Sequence, residues 1–223
     1  MAIIYTPTAN TKALYHLEDL NDSSPTGANL SNVGAASFVA GKFNDCVDLG
    51  ASNTTKYLST SNNLGLDSAI ITMSCWVNIT TAPGTNTSKT IIYHGSLRTI
   101  EFIEYKDIDG VKKLGFHRLV INAGWQEFYY DITLTPGEWY HVAFVYTGSY
   151  VNGYLNGAYV GQVAAGGNGT GGGYAEGCRL GMHGQFVQYL SGKIDEAIFE
   201  DKAWSDAEMI RYYKNGGGFL ALM

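Results

Sequence analysis

Basic residues are scarce in this chain. Fourteen Lys and Arg stand against twenty Asp and Glu, a formal net charge of −6, and no basic run occurs anywhere. Phosphate backbones are held by clustered Lys and Arg, so nucleic acid is excluded as the main partner. No apolar run approaches ~18 residues, so membrane insertion is not expected. The first residues, MAIIYTPTANTKALYHLE, lack a basic stretch and a long apolar core and do not read as a signal peptide. Either a signal has been removed or the protein travels without one, as a virion protein assembled inside a host cell would. Cysteine is nearly absent. Cys46, Cys75 and Cys178 are an odd number at wide spacings with no CxxC pair. Buried free thiols are expected, one disulfide with a thiol left over being the alternative, and a cysteine metal site has no support.

Catalytic motifs are missing too. The five histidines, His16, His94, His117, His141 and His183, show neither His-x3-His nor His-Glu-x2-His spacing, so a catalytic zinc is not expected. Gly-x-Ser-x-Gly is absent. The glycine-rich stretch Ala165 to Tyr174 has no Gly-Lys-Ser/Thr and no strand-to-helix context, so it is not a phosphate cradle.

What is present is β-structure. Charged residues are only 15% and hydrophobic residues 45%, with 16 Tyr, 9 Phe and 28 Gly, a balance that fits many strands joined by turns. From Glu138 to Gln162 three strands follow one another. Trp139, His141, Ala143 and Val145 alternate with Tyr140, Val142, Phe144 and Tyr146, a period of two. Asn156-Gly157 and Asp109-Gly110 are hairpin turns, because both central residues of a type I′ turn need positive φ. Ile71, Met73, Cys75, Val77 and Ile79 form one stripe of a long strand over 69–80. A further strand is expected over 127–134, with INAGWQEF as a turn-like segment before it. One helix is expected. Ser205-Asp206-Ala207-Glu208 is a capping box, Trp204 is placed to staple onto Met209, and Asn215-Gly216-Gly217 ends the helix. The pattern predicts a single all-β domain over 1–223: a two-sheet antiparallel jelly-roll sandwich with one short C-terminal helix. Its core spans 13–213 and an apolar tail 214–223 docks onto the body or meets a partner.

Several segments together resemble the laminin-G-like, concanavalin A-like lectin/glucanase superfamily in its bacterial and viral branch. They are Ala13-Leu14-Tyr15-His16-Leu17 with Asn21-Asp22-Ser23-Ser24, Val39-Ala40-Gly41-Lys42-Phe43 with Val47-Asp48-Leu49-Gly50, and Thr72-Met73-Ser74-Cys75-Trp76-Val77. Trp139-Tyr140-His141-Val142-Ala143, Tyr154-Leu155-Asn156-Gly157 and Gly192-Lys193-Ile194-Asp195-Glu196 with Trp204–Ile210 complete the set, in the family order. The resemblance implies the same jelly roll, carbohydrate or protein binding, and often a structural calcium. Related domains hold that ion with a first-strand carboxylate, a last-strand carboxylate and loop carbonyls. The corresponding positions are Glu18 or Asp19, Asp195, and carbonyls near Gly41 and Asn44. Asp195 has an alternative, capping a turn or pairing with Lys193 or Lys42.

A retaining glycosidase of this superfamily would carry Glu-x-Asp-x-Glu on one strand, with all three carboxylates on one face. That triplet is absent, and Glu101 and Glu104 lie on opposite faces. The expectation is therefore a non-catalytic binding or adhesion module on an extracellular or virion surface, directed at glycans. Sugars stack their C–H faces on aromatic rings, and Trp125 with Gln126 beside it, Tyr105 before a hairpin, and Tyr174 and His183 bordering glycine-rich loops are the candidates. Rings that simply cover the edges of the core are the alternative for each. The rival functions are a phage decoration or tail-associated subunit with no sugar site, and a glycoside hydrolase. The partner is a glycan or another surface or virion protein, with a homo-oligomer left open.

Overall fold

The computed structural model describes residues 5–66, 70–167 and 176–214. Among them fifteen strands and one helix follow in order. The first five strands are short: β1 Thr11–Tyr15, β2 Ser31–Val33, β3 Ser37–Ala40, β4 Asp45–Asp48 and β5 Tyr57–Thr60. The long meander follows as β6 Ile71–Ile79, β7 Ser88–Gly95, β8 Thr99–Ile108, β9 Val111–Val120 and β10 Gly124–Asp131. β11 Trp139–Tyr146, β12 Tyr150–Leu155, β13 Ala158–Ala164, β14 Gly177–Leu180, β15 Gly192–Glu200 and helix α1 Asp206–Lys214 complete the described elements.

All pairings are antiparallel and form two sheets. One runs β13-β12-β11-β6-β15-β4-β3, with β1 also on β15; the other runs β10-β9-β8-β7-β14-β5-β2. β15 pairs β6 along one edge and divides its other edge between β4 and β1. The two-sheet antiparallel jelly roll expected from the strand pattern is thus the observed architecture. The alternation within strands explains where the core lies. Ile71, Met73, Cys75, Val77 and Ile79 of β6 and Val142, Phe144 and Tyr146 of β11 face Ile103 and Tyr105 of β8 and Leu114 and Phe116 of β9 across the sandwich. The opposite faces of β6 and β11 are buried as well. Ala143 and Val145 join Leu14, Ile198, Trp204, Met209 and Tyr212 in a second cluster under α1. That is why all nine residues of β6 are buried although its sequence alternates.

The turn chemistry is as the sequence dictates. Asn156 and Gly157 sit at φ 51° and 75°, Asp109 and Gly110 at 52° and 86°, the left-handed pairs of I′ hairpins. The capping box forms: Ser205 Oγ accepts the Glu208 N–H at 3.3 Å and Glu208 Oε2 accepts the Ser205 N–H at 2.9 Å. The three cysteines are free and buried. His141 is a core histidine, its Nε2 2.6 Å from Ser74 Oγ, and burial pushes its pKa down to about 3. Two differences stand out. β2 and β3 were not anticipated, and β10 begins at Gly124 rather than near 127, so Trp125 stands in a strand and not in a turn. No helix among the described residues is long and apolar enough to cross a membrane. Residues 215–223, most of the apolar tail, lie outside the described residues.

Candidate functional site

The Asp109–Gly110 hairpin fixes what faces what in the second sheet. It pairs Ile108 with Val111, and counting outwards brings Phe102 opposite His117 and Glu104 opposite Gly115. β10 continues the register, with Trp125 opposite Leu119, Glu127 opposite His117 and Tyr129 opposite Gly115. Period two then places Phe102, Glu104 and Lys106 of β8, His117 of β9, and Trp125, Glu127 and Tyr129 of β10 on the face turned away from the core. With Phe186 and Gln188 from the chain after β14 they line a cleft of about 260 Å³. Gly115 makes room for its floor. A Cβ there would lie 2.4 Å from His117 Nε2 and 2.9 Å from the Tyr129 ring.

His117 is the centre of the cleft. Its ring lies flat on Phe102, centroids 4.3 Å apart and planes 3° apart, with Tyr129 edge-on at 5.3 Å. Nδ1 is 2.9 Å from Glu127 Oε2, and Nε2 is 3.1 Å from Glu104 Oε1, a distance for ion pairing but off the line of a good hydrogen bond. Burial pushes the imidazole pKa down, but the two carboxylates outweigh it and the net shift is upward. Glu127 is lowered, first by its hydrogen bond to His117. Glu104 is lowered although burial opposes it, because His117 and Lys106 favour the carboxylate. Lys106 lies 3.7 Å from Glu104 and over the Tyr129 ring at 5.5 Å. Gln188 Oε1 accepts the Thr90 hydroxyl at 3.0 Å, leaving its amide hydrogens to other acceptors. Trp125 is the exposed wall. It is 45% exposed, with its ring edge-to-face on Phe102 at 5.8 Å and on His117 at 6.3 Å. A large, half-exposed ring held at right angles to two buried ones beside polar groups has the chemistry on which an apolar surface can stack.

The expected sugar-site residues fare differently. Trp125 lines the cleft. His183 is fully buried directly behind it, between Tyr93 at 4.9 Å and Phe102 at 4.6 Å, and burial lowers its pKa to about 4. It supports a wall and presents no surface. Tyr105 is corrected outright: it is a core residue, fully buried, its hydroxyl accepting the Leu134 N–H at 3.0 Å. Gln126 is corrected as well, since strand alternation turns it to the core side with Phe128, and its Oε1 is buried without a partner. Tyr174 lies outside the described residues. The sequence reading missed Phe102, Glu104, Lys106, His117, Glu127, Tyr129, Phe186 and Gln188. The signal for Phe102, Glu104, Lys106 and His117 was in hand, because the Asp-Gly turn sets the β8–β9 register that gathers them.

The residues expected at a cation site are drawn to one loop. Asp195, fully buried, accepts the N–H groups of Lys42 at 2.8 Å and Phe43 at 2.9 Å through Oδ2, so it caps the 41–44 turn. A Cβ on Gly41 would stand 2.7 Å from that same oxygen, which explains the glycine. Asn44, at φ 49°, has its carbonyl on the Gly41 N–H at 2.7 Å and donates from Nδ2 to Glu18 Oε1 at 2.9 Å. Asp19 instead accepts from Asn21, so of the two carboxylates it is Glu18 that is bonded to the 41–44 turn. Burial pushes the Asp195 carboxyl up to about 7, helped by the nearby charge of Glu196, and Oδ1 is buried with no partner. No group of three or more His, Cys, Asp or Glu side chains among the described residues is arranged to hold a metal. A set of two carboxylates plus carbonyls lies below that count.

A second cavity, about 460 Å³, is lined by Tyr5, Pro7, Asn10, Lys202 and Trp204 among others at the α1 side. Its central carboxylate, Glu200, already accepts from the Tyr5 hydroxyl, from Thr11 Oγ1 at 2.8 Å and from the Trp204 indole.

The architecture is a two-sheet jelly-roll sandwich with a groove on the outer face of one sheet. The chain belongs to the concanavalin A-like lectin/glucanases superfamily, whose family model matches residues 52–209. No curated protein matches the sequence. Among solved structures it is similar to domain 4 of AbnA, a GH43 extracellular arabinanase from Geobacillus stearothermophilus, in complex with arabinotriose. Identity is 18%, TM-score 0.68, over 90% of this chain and 97% of that one. It is also similar to the binding domain of Paraclostridial Mosquitocidal Protein 1, at 14% identity and TM-score 0.68, over 92% of this chain and 52% of that one. The receptor-binding domain of a botulinum neurotoxin C/D mosaic serotype matches at 14% identity and TM-score 0.70, over 92% and 51%. The chain thus spans about half the length of the two toxin domains.

Proposed function

We propose that this chain is a non-catalytic carbohydrate-binding module that holds a saccharide against Trp125 in the cleft over β8, β9 and β10. The observation that carries the reading is the half-exposed Trp125 ring, braced edge-on by Phe102 and His117 beside an open carboxylate, an amide and an ammonium. An apolar platform with a few polar groups to read hydroxyls is the general form of a small-ligand site. The AbnA domain with bound arabinotriose and the toxin binding domains support the same direction. The module then works outside a cell or on a virion surface, where glycans are displayed. Within the cleft the carboxylates do not favour the hydrolase alternative. A glycosidase needs one carboxylic acid kept protonated to donate to the leaving oxygen, whereas Glu104 and Glu127 are both shifted towards the ionised form by His117.

The test is calorimetric titration of saccharides on the parent and on Trp125→Ala. The expected result is a loss of about two- to tenfold or more in affinity, in line with a stacking ring worth ~0.5–1.5 kcal/mol, with the melting temperature nearly unchanged. Undiminished binding, or a large loss of stability, would remove Trp125 from the site.

We also propose a structural Ca²⁺ at the 41–44 turn, for which the orphaned, buried Asp195 Oδ1 is the supporting observation. Glu18 and Asp195, with carbonyls near Gly41 and Asn44, would hold it; Ca²⁺ takes about six to eight oxygens, so carbonyls or water must complete the set. The ion would place a positive charge beside the Asp195 oxygen that has no partner.

A further inference from the structure

The charge arrangement of the cleft says which saccharides it takes. We propose that the site selects uncharged saccharides and rejects those carrying a carboxylate, an inference that rests on the binding role proposed above. The reasoning begins with which charges are already engaged. The imidazole of His117 lies between Glu127 at 2.9 Å and Glu104 at 3.1 Å, so its cation is matched on both sides. Lys106, the remaining cation of the lining, stands 3.7 Å from Glu104. With His117 protonated, two carboxylates and two cations close on themselves, and among the described residues no arginine lines the cleft to offer the planar fork that carboxylates are usually held by.

The charged oxygen turned outward is an acceptor. The Glu127 side chain is 41% exposed while that of Glu104 is 3% exposed, so an incoming ligand meets Glu127 first. A sugar hydroxyl donates to that carboxylate, which is the stronger, charge-assisted kind of hydrogen bond. The free amide hydrogens of Gln188 supply the complementary donor, since its Oε1 is bonded to Thr90. A uronate or sialyl group would bring a second anion beside the Glu127 carboxylate, and like charges brought together repel. The acidic chain as a whole, at −6, adds to the repulsion at long range.

The experiment uses matched saccharide pairs that differ by the charged group: galactose and galacturonate oligomers, glucose and glucuronate oligomers, lactose and sialyllactose. Each is titrated into the parent protein and into Glu127→Gln, with a melting curve to show that the variant is folded. In the parent, the neutral member of a bound pair is expected to bind about tenfold or more tightly than its acidic partner. In Glu127→Gln the gap is expected to narrow, because the outward anion is gone while the shape is kept. Acidic members binding as tightly as neutral ones, or a gap that Glu127→Gln leaves unchanged, overturns the selectivity and leaves the binding role standing. Binding of no saccharide in any pair overturns the binding role itself, and the selectivity falls with it.

Discussion

His117 shows how one buried side chain sets the character of a surface. In the interior of an apolar face an imidazolium would be disfavoured, yet here two carboxylates raise its pKa against burial. Linkage gives the sign of the consequence. An unfolded His titrates near ~6.5, so below that value both states hold the proton and the stabilisation is complete. As pH rises through the higher folded-state value, the folded protein loses the proton too and the contribution disappears. Melting temperatures of the parent and of His117→Gln, compared across this range, should differ most at the acid end and converge as pH increases. A difference that stays constant with pH would mean that folding leaves the His117 pKa where it is in the unfolded chain, and one that instead favours the variant at the acid end would mean that the imidazole is held neutral in the fold. Glu104 and Glu127 act in the opposite sense: their depressed pKa values stabilise above ~4.3 and that contribution is lost as pH falls.

At the scale of elements, hairpin turns govern the site. Gly157 sits at φ 75°, and a Cβ there would meet the Tyr213 side chain of α1 at 2.9 Å. Gly157→Val should therefore lower stability by at least about 1–2 kcal/mol, since a β-branched residue is forced into the left-handed region. Chemical denaturation measures it, and an unchanged midpoint would contradict the hairpin as described. Much of this was legible beforehand. The I′ turns, the β6 stripe and the capping box follow from local rules that tertiary packing leaves in force. The strand holding Trp125 was misjudged because Asn122-Ala123-Gly124 is a genuine turn, with Asn122 at φ 69° and Gly124 at 101°, and pairing with β9 resumes immediately at Gly124. Burial misled in the same way. Tyr105 borders a hairpin in sequence but points across the sandwich, and proximity to a turn says nothing about which face a strand residue takes. Phe186 and Gln188 reach the cleft from an irregular segment for which no periodicity applies.

At the scale of the molecule, β15 unites the ends of the chain, pairing with β1 on one edge and bringing Asp195 to the 41–44 turn. An ion held there by Glu18 and Asp195 would favour the folded state by mass action. Melting with calcium and with EDTA is expected to show a calcium-dependent rise in the parent that Asp195→Ala abolishes. Equal melting temperatures of the parent in the two buffers would remove the ion. The same architecture gives the two sheets different duties. The outer face of the first is covered by α1 and Trp204, whereas among the described residues the outer face of β8, β9 and β10 forms the cleft around a half-exposed Trp125. The central claim is that a saccharide lies on that open face. The most direct measurement is a ¹H–¹⁵N correlation spectrum recorded as a binding saccharide is added. The Trp125 indole N–H and the amides of 102–106, 115–119, 124–129 and 183–188 should shift together and saturate. Shifts centred instead on the cavity between Tyr5 and Trp204, with the Trp125 indole unmoved, would contradict the account.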